Sequence, residues 1–237
     1  MEYFFTPPNL IHGSDLLIEG DEFAHLTHVM RKAAGDAIRV VDGIGHAYDV
    51  TIAEINRRSA RCLITTCHER LHEPDIEVTL AVGLLKNGSS FDYVVEKATE
   101  IGVNSVYPLL TERTIPRHAR TDRWQKLALA AMKQSGRCVL PSIHPLTSFP
   151  IFLHSLPPAA RKFIPHEKID PAAVAPSMKS HEHVPTIICI GPEGGFTEDE
   201  VAGAEQTGFI PVSLGVRRLR TETAAIVAAA AVLLSHE

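Results

Sequence analysis

Gly191-Pro192-Glu193-Gly194-Gly195-Phe196-Thr197-Glu198-Asp199-Glu200 is the stretch whose residue types speak most directly of chemistry. The run Ile187–Ile190 before it is apolar and rich in β-branching, as in a strand buried on both faces. Gly191, Gly194 and Gly195 can take positive φ at little cost and leave room for a ligand against the backbone. Thr197 followed by Glu200 fits a capping box, so a helix is expected to begin there. Strand, glycine turn and capped helix describe the carboxyl edge of an α/β sheet, where ligands usually bind. A tight turn with no ligand fits the stretch equally well. Leu214 to Thr223 repeats the arrangement. It leaves a strand predicted over Ile210–Leu214, passes Gly215, Arg217, Arg218 and Arg220, and enters a helix that Thr221 or Thr223 can cap. The first N–H groups of both helices are unpaired and available to a ligand.

What is missing narrows the chemistry further. There is no Gly-Lys-Ser/Thr P-loop and no GxGxxG followed by an acid about 20 positions on, which disfavours nucleoside triphosphates and dinucleotides. There is no GxSxG elbow, no evident Cys–His pairing and no carboxylate pair with readable spacing. What remains is a ligand held mainly by backbone in glycine loops with arginines nearby. An adenine–sulfonium cofactor used near an RNA substrate suits that description, and the residues permit it without selecting it.

The elements that must position these loops alternate from Ile76 onward. Ile76–Leu85 and Val103–Leu110 read as strands. Between them Ser90 can cap a helix with Phe91, Val94, Val95, Ala98 and Ile101 on one stripe, ended by Gly102. Thr121 opens a helix with Trp124, Leu127, Ala128, Ala131 and Met132 inward, and Trp124 is expected in the core rather than as a base-stacking platform. A strand at Cys138–Ile143, a short helix at Phe149–Leu156, a strand near Phe163 and a loop over 167–183 follow. The last helix, Ala224–Leu234, is apolar nearly all round and needs cover from the core or a partner chain. The first 70 or so residues differ. Leu16–Ile18, Ala37–Val41, His46–Ile55 and Ala60–Thr66 read as short strands, Asp42-Gly43 as a hairpin turn and Asp21–Met30 as a helix, together a small barrel. The polar stretch His68–Asp75, containing Pro74, marks the boundary, giving domains 1–70 and 71–237.

With 237 residues, 45% of them apolar, the chain can bury a substantial core, and it has no apolar run long enough to cross a bilayer. The N-terminus lacks the marks of a signal peptide, so a cytoplasmic protein without membrane contact is expected. Cys62, Cys67, Cys138 and Cys189 are scattered and read as reduced thiols. No metal is expected. Cys62, Cys67, His68 and His72 match no zinc spacing, and His181-Glu182-His183 lacks the second histidine of HExxH. A net charge of −5 argues against coating nucleic acid non-specifically, while leaving room for local basic patches.

The blocks Gly-Pro-Glu-Gly-Gly-Phe-Thr-x-x-Glu at 191–200 and Leu-Gly-x-x-x-Leu-Arg-Thr-Glu-Thr-Ala at 214–224 resemble the signatures of the SPOUT-class 16S ribosomal RNA uridine-N3 methyltransferases. The resemblance continues in Leu85-Lys86, Glu96–Val103, Thr111-Glu112-Arg113, Ala131–Arg137 and, more weakly, His28–Arg31, while Arg218 stands where the family pattern is aliphatic. It implies an α/β fold: a SPOUT α/β-knot domain with a deep trefoil knot, preceded by a small PUA-like β-barrel. It implies S-adenosylmethionine bound by Leu110, Gly191, Pro192, Glu193, Gly194, Gly195, Leu214, Gly215, Leu219 and Thr221. It also implies a homodimer acting on one decoding-region uridine of 16S rRNA in the small ribosomal subunit. Arg220 is then assigned to the developing uracil anion and Glu222 to the general base; an RNA phosphate contact and a simple helix-terminal charge are the plainer alternatives. RNA contacts fall to Arg31, Lys32, Lys86, Arg113 and Arg137, with Arg117, Arg120 and Arg123 in support. Competing readings are a knotted methyltransferase for a ribose 2′-hydroxyl or a transfer RNA base, and a non-catalytic RNA-binding assembly factor.

Overall fold

Period-two burial shapes the N-terminal sequence into a sheet. The computed structural model, which describes residues 2–166, 178 and 183–235, has strands β1 (Tyr3–Phe5), β2 (Ile11–His12), β3 (Asp15–Glu19), β4 (Ala37–Val41), β5 (His46–Ile55) and β6 (Ser59–Glu69) here. Their order is β1-β4-β5-β6-β3-β2, parallel between β1 and β4 and antiparallel elsewhere. Leu16, Ile18, Ile38, Val40, Val50, Ile52, Ala60 and Cys62 alternate inward and pack with Phe4 and Leu26. The helix expected over Asp21–Met30 is instead α1 (Gly20–Ala24) running into a π-helical turn, His25–Val29. Arg31 leaves that turn in the left-handed region, with φ 51°. At the β4–β5 turn the buried Asp42 carboxylate accepts the N–H groups of Ile44 at 2.9 Å and His46 at 3.0 Å.

The chain divides into two compact units: the residues up to Glu73 together with Leu129–Leu140, and Pro74–Ala128 together with the residues from Pro141 on. The assignment of Leu129–Leu140 departs from a single boundary near residue 70. Its cause is local. Met132 and Cys138 bury against Val41 and Ala47, and the Glu73 carboxylate accepts from Cys138 N at 2.9 Å and Val139 N at 2.8 Å. Those two N–H groups are thereby lost to a strand ladder, so the strand predicted over Cys138–Ile143 shrinks to β9 (Ser142–Ile143).

The second unit is a parallel sheet of β7 (Val78–Gly83), β8 (Ser105–Leu110), β9, β10 (Thr147–Ser148), β11 (Arg161–Pro165), β12 (Thr186–Ile190) and β13 (Ile210–Val212). The order is β10-β8-β7-β12-β11-β13, with β9 on β8. Every residue of β12 is buried, as its unbroken apolar run requires. The helices are α2 (Gly88–Glu100), α3 (Thr121–Ser135), α4 (Phe149–His154), α5 (Glu198–Gln206) and α6 (Thr221–Leu233). Asn87, not Ser90, caps α2, its side chain accepting from Ser89 N at 3.1 Å. Trp124 is buried, 4.2 Å from the Phe91 ring centroid to centroid, and donates its indole N–H to Asp92. Arg220 occupies the cap position of α6 in extended conformation, and Thr221 is the first helical residue, so neither expected threonine caps it. α6 buries Ala225, Ala228, Ala229, Val232 and Leu233 but leaves Val227 42% exposed, and Leu234, which follows its last turn, 66% exposed. Apart from Met178 and His183, the loop expected over 167–183 lies outside the described residues, and so does most of the His181-Glu182-His183 run.

Candidate functional site

Because the strands of the second unit are parallel, their carboxyl ends meet at one edge, and a cavity of about 820 Å³ lies there. One wall is the turn 191–197 after β12; another is 213–219 after β13. Glu112 and Arg113 after β8, Pro165 and His166 at the end of β11, and Thr221 and Ala224 of α6 complete it. Of the residues predicted to hold a cofactor, Gly191, Pro192, Glu193, Gly194, Gly195, Leu214, Gly215, Leu219 and Thr221 all line this cavity. Leu110 does not: it ends β8, and the wall there is made by Glu112 and Arg113, one turn further on. Arg220 and Glu222 are not wall residues either, although they bracket Thr221, which is. Glu222 sits in the first turn of α6, where its Oε1 accepts from Ser90 Oγ at 3.4 Å.

Close packing explains the glycines. A Cβ on Gly83, at the end of β7, would stand 2.5 Å from Pro192, and one on Gly191 would stand 2.9 Å from the Gly195 backbone. The turn is closed by Gly195 N donating to Pro192 O at 2.8 Å, with Gly195 at φ 68°. Neighbouring loops hold it from two sides. Glu193 Oε1 accepts Lys86 N at 2.9 Å, so this carboxylate orders the turn. Arg113 lays its stem over Gly194 and donates Nη1 to Gly194 O at 2.7 Å. Glu200 completes the capping box of α5 and also accepts Glu112 N at 2.8 Å. In the second loop Ser213 Oγ accepts from Gly215 N at 3.2 Å, and Gly215 takes φ 107°.

These features suit a bent nucleoside-sized ligand. The volume falls in the range of small-molecule sites, about 300–1,000 Å³. Gly195 and Gly215 both have open space where a side chain would stand. Glu112, Glu198 and Asp199 share the lining with Arg113, Arg217 and Arg218, a mixture of signs that fits a molecule carrying both charges. Sequence reasoning missed His166, Phe196 and Ser213 on the lining; the strand predicted near Phe163 was the signal that its carboxyl end would open here too.

The expected RNA-binding arginines separate by burial. Arg31 and Lys86 are exposed and Lys32 is half-buried. Arg113 is exposed but engaged with the glycine turn. Arg120 and Arg123 pair with Asp92 at 3.3 Å and 2.9 Å. Arg137 must be corrected: it is 2% exposed, and its Nη2 donates to the fully buried Glu73 at 2.7 Å, so its charge is spent inside the first unit. All four cysteines are free, and burial pushes Cys62 up to about 12 and Cys138 up to about 11, with Cys189 also raised by burial. Among the described residues no group of three or more His, Cys, Asp or Glu side chains is arranged to hold a metal ion.

Residues 72–233 match the family model of an RNA methyltransferase domain, and residues 18–65 match that of an RNA methyltransferase PUA domain. The fold is that of a SPOUT α/β-knot methyltransferase preceded by a PUA-like barrel. More particularly, the chain belongs to the family of ribosomal RNA small-subunit methyltransferases. It is 32% identical over 227 residues to ribosomal RNA small subunit methyltransferase E of Synechocystis, covering 94% of this chain and 74% of the relative. The enzyme of the same name from Neisseria gonorrhoeae, solved bound to S-adenosyl methionine, superposes with a TM-score of 0.87 at 31% identity, covering 98% of this chain and 96% of that one. A Legionella pneumophila methyltransferase solved with bound S-adenosylmethionine gives a TM-score of 0.80 at 25% identity, covering 96% and 94%.

Proposed function

We propose that this chain methylates N3 of one decoding-region uridine in the 16S rRNA of the small ribosomal subunit, in the cytoplasm and as a homodimer, with S-adenosylmethionine as cofactor. The observation that carries the reading is the convergence of both glycine loops on one cavity whose edge residue, Thr221, is flanked by Arg220 and Glu222. The cofactor, when bound, supplies an electrophilic methyl group on a sulfonium. The chain's own residues do the rest. The two loops orient the ligand by backbone contacts and keep water from the reacting face.

Uracil N3 carries a proton and is a poor nucleophile while neutral. Glu222 takes that proton as general base. Ser90, hydrogen-bonded to Glu222 Oε1, helps to set the carboxylate's direction. Arg220 places its cation at a uracil carbonyl oxygen as negative charge develops there, an interaction worth on the order of 3 kcal/mol. Alignment of N3 contributes more, up to about 7 kcal/mol. Arg31, Lys32 and Lys86 hold RNA phosphates, with Arg117 in support. Val227 of α6 and Leu234 just after it, both apolar and exposed, supply the dimer contact.

Glu222→Gln tests the base. Single-turnover methylation is expected to fall at least 100-fold, with cofactor affinity little changed. Undiminished methylation across pH would remove Glu222 from that role. Arg220→Ala is expected to lose rate far more than cofactor affinity, and equal losses would refute anion stabilisation.

A further inference from the structure

Capping boxes ordinarily end at the helix they cap, and the one at α5 reaches further. Glu200 Oε2 accepts Thr197 N at 2.9 Å, while Thr197 Oγ1 accepts Glu200 N at 3.2 Å. The other oxygen, Oε1, accepts the backbone N–H of Glu112, 88 positions earlier in the chain, at 2.8 Å. Glu112 and its neighbour Arg113 both line the cavity. Arg113 returns the connection, donating Nη1 to Gly194 O at 2.7 Å and Phe196 O at 3.4 Å. The loop after β8 and the turn after β12 are therefore tied in both directions, and each tie on the Glu200 side uses its own carboxylate oxygen.

We infer that Glu200 is a positioning residue of the cofactor site: it fixes the Glu112–Arg113 wall against the glycine turn, and this needs a carboxylate rather than an amide. A glutamine offers one acceptor oxygen and an NH₂ group. At Glu200 that NH₂ would face either Thr197 N–H or Glu112 N–H, donor against donor, so one tie must break. At Glu193 a single N–H, from Lys86, is accepted by Oε1, and a glutamine oxygen replaces it. The inference rests on the reading that this cavity holds S-adenosylmethionine.

Calorimetric titration of the full chain with S-adenosylhomocysteine, with thermal melting of each variant, tests it. Glu200→Gln is expected to weaken binding about tenfold or more, the loss of one charge-assisted hydrogen bond. Arg113→Ala, which breaks the reciprocal ties, is expected to weaken it comparably. Thr197→Ala, which weakens the same cap without touching Glu112, is expected to lose clearly less, and Thr207→Ala, which removes a hydrogen bond at the far end of α5 away from the cavity, to stay within about twofold. Wild-type binding with Glu200→Gln or Arg113→Ala unchanged would overturn this inference alone. A loss in Thr197→Ala as large as in Glu200→Gln would also overturn it, because helix capping would then suffice. No binding by the wild type would overturn the cofactor reading together with it.

Discussion

At Arg137 the guanidinium lies 2.7 Å from Glu73, with both side chains buried and Glu73 also accepting two backbone N–H groups. Removing one partner of such a pair strands a charge. Arg137→Ala is expected to cost about 3–5 kcal/mol, read as a lower melting temperature, while the salt dependence of RNA binding by the folded protein stays as it was. A changed salt slope with unchanged melting would return Arg137 to the RNA surface. Asp49 supplies a pH prediction. The Arg39 guanidinium at 2.7 Å, helped by His68 at 2.8 Å, holds its carboxyl below the usual range against the opposing effect of burial. A depressed native pKa gives stability that is present above the unfolded value near 3.9 and is lost as pH falls through the native one. The first unit is therefore expected to lose stability below about pH 4, and Asp49→Asn to flatten that dependence in acid melts. Thiol labelling is a further check: Cys67 is exposed and the other three are buried, so native protein should react at one thiol and unfolded protein at four.

Elements differ in how openly the sequence declares them, and the distance over which they are decided accounts for it. The α5 capping box was legible because Thr197 and Glu200 satisfy each other within one turn. β12 was legible because a strand covered on both faces must be continuously apolar. The turn 191–197 could be read on the same grounds, whereas the loop 213–219 was marked by its glycine and by the family resemblance, since neither expected threonine caps α6. Cys138–Val139 could not, because Glu73, some 65 residues earlier, takes their N–H groups. The cap of α2 was misplaced by three residues, since Asn87 and Ser90 are both good caps and Ser90 is turned to Glu222 instead. The π-helical turn His25–Val29 has no signal in apolar spacing. β7 and the glycine turn touch at Gly83, where a Cβ would meet the Pro192 ring at 2.5 Å. Gly83→Ala is expected to displace the turn and weaken S-adenosylhomocysteine binding at least tenfold in calorimetry, whereas binding within twofold of wild type would show that the turn can give.

For the whole molecule, charge and surface matter more than any single contact. Net charge is −5, so the proposed RNA contacts rely on local cations, Arg31, Lys32 and Lys86. Removing these three cations is expected to reduce the slope of log affinity against log salt by about 2–3. No helix among the described residues is long and apolar enough to cross a membrane. Val227 of α6 and Leu234 just after it are nevertheless exposed, and Val227→Asp with Leu234→Asp is expected to convert the proposed dimer to a monomer in light scattering; a monomeric wild type would refute the dimer. The proposed function turns on the atom that receives the methyl group. Small ribosomal subunits incubated with this protein and labelled S-adenosylmethionine, then digested to nucleosides and analysed by mass spectrometry, are predicted to yield 3-methyluridine at a single site. A ribose 2′-O-methyl nucleoside, a methylated base other than N3-uracil, or no transfer at all would contradict it.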